Sequence, residues 1–213
     1  PSEFTISNVR VSTNDGFVST WYDQSGNAND ATQATTTAQP KIVDAGALVA
    51  NGIDFYSNSA LSSAAFADGT ASSVFIAFNN QAADASRKIF FSKNSYPASG
   101  VIFNYRGDAS VGEYDFVNFD GFNHTLTYFD ATSPLLGLST TIINGTGKEA
   151  FLNGASRASS SEVFVGGNTY VRFGSPSFGT GFELAEVIIY PTDETANRVG
   201  IETNINDHYS IYA

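Results

Sequence analysis

Trp21-Tyr22-Asp23-Gln24-Ser25-Gly26-Asn27-Ala28-Asn29-Asp30-Ala31 puts two aromatic rings directly before a run of small polar residues. Apolar alternation from Phe17 continues through Trp21 and Tyr22, so the segment reads as a strand with one ring entering a core and its neighbour facing the other way. Asp23, Ser25, Asn27, Asn29 and Asp30 then crowd around Gly26. Their side-chain oxygens can accept backbone N–H bonds and fix a tight turn. The same residues admit two other readings. Asp23, Asn27, Asn29 and Asp30 could form an oxygen-rich nest for Ca²⁺, although the spacing lacks the 12-residue loop with a terminal Glu. Trp21 or Tyr22 could also lie directly against a sugar.

Outward from this run the pattern repeats. Short period-two stretches are broken by Gly, Asn, Asp, Ser or Pro every 8 to 12 residues, the spacing of a sandwich or barrel. Strands are predicted at Phe17 to Tyr22, Ile42 to Val43, Val49 to Phe55, Ser73 to Phe78, Lys88 to Ser92, Val101 to Tyr105 and Tyr114 to Phe119. Six more follow: His124 to Phe129, Ser139 to Ile143, Glu149 to Leu152, Glu162 to Val165, Tyr170 to Phe173 and Phe182 to Tyr190. One helix is predicted, Thr192 to His208, where Ile201, Ile205 and Tyr209 recur every four residues, with Thr192 as N-cap. Ala31 to Gln39 and Asn58 to Thr70 read as loops. The expected fold is all-β: a two-sheet antiparallel sandwich of the jelly-roll type with a short C-terminal helix. No compositional break marks a linker, so residues 1–213 read as one domain, and the Met-free start at Pro1 reads as a piece of a longer polypeptide.

Composition narrows the function. Ten Lys and Arg against 21 Asp and Glu give a net charge of -11, which repels a phosphate backbone, so nucleic acid is not an expected partner. There is no Cys, which excludes disulfides and thiol chemistry. No apolar run is long enough for a membrane-spanning helix. With 18 Asn, 25 Ser and 19 Thr beside 15% charged residues, the surface is built from neutral polar groups, which fits an extracellular, cell-surface or virion setting.

The Trp21–Ala31 run resembles the Trp-Tyr-Asp-Gln-Ser-Gly-Asn-Gly-Asn-Asp-Ala signature of bacterial and phage proteins in the concanavalin A-like lectin/glucanase superfamily, the laminin-G-like jelly rolls. A similar Tyr-Asp-Gln-Ser-Gly run occurs in a family of α-L-arabinofuranosidases on the same sandwich. Ala28 departs from the usual Gly. Gly52-Ile53-Asp54-Phe55, Glu149-Ala150-Phe151-Leu152-Asn153-Gly154 and Leu184-Ala185-Glu186-Val187-Ile188-Ile189-Tyr190 followed by a helix are similar to further elements of that superfamily, in the same order. The resemblance implies the fold; the sandwich hosts lectins, glycanases, lyases and structural domains.

Glu113-Tyr114-Asp115-Phe116-Val117-Asn118 resembles the Glu-x-Asp-x-x-Glu strand of retaining β-glucanases, which makes Glu113 and Asp115 the catalytic candidates of an enzyme reading. Asn118 occupies the acid/base position and cannot exchange a proton there. A solvated sheet face explains the same alternation. Binding asks for less: rings that stack on sugar faces, beside groups that bond hydroxyls. Tyr96, Tyr105, Arg106, Asp108, Tyr114 and Asn118 are the expected ligand-binding residues, because they sit at strand ends and turns. The expected function is a non-catalytic module that binds a polysaccharide or cell-surface glycan, or holds an assembly together with copies of itself or other particle proteins. The alternatives are a glycoside hydrolase or polysaccharide lyase, and a purely structural virion or surface-assembly domain. The cofactor is none or Ca²⁺.

Overall fold

A stretch such as Ser72-Ser73-Val74-Phe75-Ile76-Ala77-Phe78, apolar without alternation, is stable as a strand when both of its faces are covered. In the computed structural model, which describes residues 10–12, 14–64, 71–81, 87–93, 100–107, 112–119, 124–130, 136–161, 170–175 and 181–213, that strand is the centre of the molecule. The first sheet runs β1 (Arg10–Ser12), β2 (Asp15–Phe17), β5 (Lys41–Asp44), β7 (Ile53–Phe55), β18 (Phe182–Tyr190), β9 (Ser72–Asn80), β14 (Leu136–Asn144), β15 (Gly147–Leu152) and β16 (Ala155–Ser160), with β6 (Ala47–Leu48) paired to β5. The second runs β13 (His124–Asp130), β12 (Gly112–Phe119), β11 (Gly100–Gly107), β10 (Arg87–Lys93), β17 (Val171–Gly174), β8 (Ala60–Ser63), β4 (Ala31–Thr32) and β3 (Thr20–Trp21). Every described pairing is antiparallel. This is the expected sandwich.

On β9, Val74, Ile76 and Phe78 enter the core between the sheets, while Phe75 and Ala77 join a second cluster on the outer face. The inter-sheet core includes Phe55 stacked on Phe182 at 5.2 Å and Trp21 against Phe173 at 5.1 Å. Each buried Phe of this kind contributes about 1.5–3 kcal/mol. The outer cluster is closed by helix α1 (Arg198–Tyr209), whose Ile201, Ile205 and Tyr209 lie over Leu138, Ile142 and Phe151. A bulge between Leu184 and Glu186 on β18 resets its alternation, so Phe182 and Leu184 serve the inner core while Ile188 and Tyr190 serve the helix side. At Gly52 (φ +112°) a Cβ would sit 2.1 Å from the Leu184 carbonyl oxygen, so the approach of this turn to β18 requires glycine.

Several boundaries differ from expectation. Phe17 to Tyr22 is two strands, β2 and β3, in different sheets. Of Val49 to Phe55 only Ile53–Phe55 is a strand, and short strands β4 and β8 occupy the predicted loops. Strand β16 was not foreseen, since Ala155 to Ser160 carries no large apolar residue. The helix begins at Arg198 instead of Thr192: Ser73 Oγ donates to the Thr192 carbonyl (2.8 Å) and accepts from the Glu194 amide (2.9 Å), which docks this segment on β9 as a turn. The predicted strand Glu162 to Val165 lies outside the described residues.

Candidate functional site

The Trp21–Ala31 run consumes its own polarity. Asp23 Oδ1 accepts the Ser25 amide (2.8 Å), and its Oδ2 accepts the Ser25 hydroxyl (2.8 Å) and the Asn29 amide (3.0 Å). Asp30 Oδ1 accepts the Asp23 amide at 2.9 Å, and Ser25 Oγ accepts the Asn27 side-chain amide at 2.9 Å. Burial works to raise the Asp23 carboxyl, but the donors from Ser25 and Asn29 outweigh it and hold it below its ordinary value. Trp21 is the ring that enters the core, and Tyr22 stays half-buried. Among the described residues no group of three or more His, Asp or Glu comes together as a metal cage.

The other expected residues fall on β11 and β12, whose backbone pairing is described. Tyr105 pairs with Tyr114, Arg106 with Glu113, Asn104 with Asp115 and Val101 with Asn118. Register therefore brings positions 105, 106, 113 and 114 to one end of the hairpin and leaves Asn118 toward the other. Tyr96 and Asp108 lie outside the described residues.

A pocket that the motifs did not indicate lies on the outer face of the first sheet, beside the β14–β15 turn and the start of α1. Its volume is about 310 Å³. Ile142 and Phe151 supply apolar walls, and Asn144, Glu149, Ser159, Ser161, Thr195 and Arg198 supply polar ones. Arg198 is held on three sides: its guanidinium lies 3.9 Å from the Phe151 ring centroid, pairs with the buried Glu202 one helical turn away, and reaches the Gly154 carbonyl at 3.5 Å. The Glu202 and Gly154 contacts use Nη1; among the described residues Nε and Nη2 meet no acceptor. Glu149 Oε1 accepts the Ser156 hydroxyl at 2.6 Å, which orients its carboxylate from the strand beside it. Thr195 donates twice to Asp193 Oδ1, holding that carboxyl below its ordinary value. Gly147 (φ +155°) closes the turn against β16, where a Cβ would stand 2.3 Å from the Ser160 carbonyl oxygen. Chemically this is a rigid guanidinium edge, an oriented carboxylate and serine hydroxyls over an aromatic and aliphatic wall.

A second pocket of about 370 Å³ is mostly apolar and runs from Val18 and Trp21 past Gly52 to Tyr209 and Ile211. Burial and the Glu186 carboxylate push the Tyr209 phenol up to about 12. Elsewhere on the outer face, Lys41, Asp54, Glu183 and Asn79 form one cross-strand row. Glu183 accepts from Asn51 (2.8 Å), Asn79 (2.7 Å) and Gln81 (3.0 Å), and the Gln81 amide also reaches Asp54 at 3.4 Å. Burial and the neighbouring Glu183 raise the Asp54 carboxyl to about 6.

No family model and no curated protein matches the sequence. Among solved structures, the Trypanosoma rangeli sialidase in complex with sialic acid aligns with a TM-score of 0.62 at 11% identity, over 85% of this chain and 30% of the sialidase. The heptameric SAP-like pentraxin of Limulus polyphemus aligns with a TM-score of 0.53 at 10% identity, over 68% of this chain and 78% of the pentraxin. The chain thus spans less than a third of the length of the sialidase it matches. What these proteins share with it is the fold, two antiparallel sheets packed as a β-sandwich.

Proposed function

We propose that this chain is a non-catalytic glycan-binding module, with the pocket bounded by Glu149, Phe151 and Arg198 as its contact site. The observation that carries the reading is the coexistence, in about 310 Å³, of an aromatic wall with an oriented acceptor and unsatisfied donors. Sugars present both an apolar face and a ring of hydroxyls, and a site for them needs both kinds of wall. The sialidase and the pentraxin support it at the level of fold. An assembly role asks for a broad apolar patch, and among the described residues the exposed large apolar side chains are Leu48 and Val199, each by itself.

The proposal extends to membership of the concanavalin A-like superfamily in its bacterial and phage branch and to display outside a cell or on a virion. Of the residues expected to bind ligand, Tyr105 and Tyr114, which pair across β11 and β12, are a second contact point within it. A Ca²⁺ ion at Asp23, Asn27, Asn29 and Asp30 would have to displace the amide donors now held by Asp23, so the reading proposed here does not depend on one.

A glycan array probed with the chain, run beside a reducing-sugar assay on every glycan bound, tests the reading. Binding without sugar release supports it. Release that disappears in Glu113→Gln replaces it with the hydrolase reading, and absence of binding to any glycan overturns it.

A further inference from the structure

Between the sheets, remote from the surface sites above, an amine faces a carboxamide. Lys88 on β10 of the second sheet and Asn80 at the end of β9 of the first both have 0% exposure. Lys88 Nζ donates to Asn80 Oδ1 at 2.9 Å and lies 3.5 Å from the Gly181 carbonyl oxygen. The pair sits at the edge of the phenylalanine cluster: Asn80 is in register with Phe182, and Phe90, two residues beyond Lys88, packs at 4.5 Å from Phe182 and 5.1 Å from Phe78. The other end of the carboxamide is a misfit for a purely structural role. Asn80 Nδ2 is buried and, among the described residues, has no acceptor, an arrangement that forfeits a hydrogen bond without return.

We infer that Lys88 and Asn80 become joined by an intramolecular isopeptide bond that ties the two sheets covalently. The carbon that an amine would attack is bonded to the oxygen already in contact with Nζ. The Nζ lone pair adds to Cγ of Asn80, the Nζ–Cγ bond forms and the Cγ–Nδ2 bond breaks. One Nζ proton passes to Nδ2, which leaves as ammonia. One amide replaces another, so no oxidant or other reactant is consumed, and escape of ammonia makes the step irreversible. Three features of the site favour it. Exclusion of water removes competing hydrolysis and the hydration that stabilises an ammonium ion. Fixed juxtaposition substitutes for a concentration on the order of 10⁵–10⁸ M of free amine. Nδ2 is the leaving group and, among the described residues, has no hydrogen bond to break.

The product is read directly by mass. The folded full chain, held at neutral pH for several days, is expected to weigh less than its sequence by one ammonia. Trypsin cuts after Arg87, and no Lys or Arg lies between Lys41 and Arg87. The peptides Ile42–Arg87 and Lys88–Lys93 should therefore travel as one branched species, with no cleavage after Lys88. Lys88→Arg and Asn80→Ala, each made separately, should restore the full mass of their own sequences. A folded wild-type chain of full mass, giving linear peptides and cleavage after Lys88, overturns the inference. Loss of ammonia that persists in Lys88→Arg overturns it as well, because the modification then lies elsewhere.

Discussion

The Asp23–Asp30 turn and the pocket at the β14–β15 turn are both rich in oxygen and nitrogen, and they dispose of them differently. In the turn, Asp23 alone accepts three donors from Ser25 and Asn29, and Asp30 accepts the Asp23 amide, so polarity is turned inward to hold a backbone shape. In the pocket, Arg198 is anchored by Phe151, Glu202 and Gly154 and Glu149 by Ser156, and both still line open space. A dense polar motif in one stretch of sequence satisfies itself locally, whereas residues brought together from distant strands and a helix leave groups for a partner.

The contrast can be broken most forcefully at Arg198. Arg198→Met leaves the Glu202 carboxylate buried without its cation, and one of its oxygens already lacks a hydrogen-bond partner. Urea unfolding should show a loss of about 3–5 kcal/mol, mostly restored in the double variant Arg198→Met/Glu202→Leu. A loss below about 1 kcal/mol would mean that the pair does not anchor the guanidinium. Asp23→Ala should cost about 2–3 kcal/mol, because its amide donors lose a charged acceptor, while glycan binding stays within twofold of wild type. If binding collapses instead, the turn is part of the site.

The outer-face row gives a smaller, pH-dependent effect. Asp54 has a folded-state pKa raised to about 6 from 3.8, so between those values the native state holds more protons than the unfolded chain. Stability from this group is present below pH 4 and is lost as pH rises toward 6. Asp54→Asn should therefore add about 1 kcal/mol at pH 7, a value reduced for the solvent that reaches this half-buried side chain, and nothing at pH 3.5. Thermal melts at the two pH values check the sign. Chelation is expected to leave the melting temperature unchanged, since Asp23 is already saturated with donors; a drop on adding chelator, reversed by Ca²⁺, would establish the metal reading.

The architecture was legible because burial imposes a period on strands: Val74, Phe75, Ile76, Ala77 and Phe78 announce a doubly covered strand, and Ile201, Ile205 and Tyr209 announce the face of a helix. The helix start was misread because Thr192, Asp193 and Glu194 look like a cap in isolation, whereas Ser73, far away in the chain, recruits them into a turn. Strand β16 went unseen since its small residues have no periodic apolar signal; it is held by pairing with β15. The pocket was illegible for a related reason. Glu149 and Phe151 read as part of a strand, but nothing local places Arg198 beside them. That depends on where the helix begins and on the Glu202 pair buried beneath it.

The most direct measurement is calorimetric titration of the strongest array glycan into wild type and Ser159→Trp, a substitution at the pocket wall that fills the cavity without touching the core. The expected result is a loss of at least tenfold in affinity in Ser159→Trp, with the melting temperature unchanged and Asp23→Ala binding as wild type does. Equal affinity in wild type and Ser159→Trp would contradict the assignment of this pocket as the contact site.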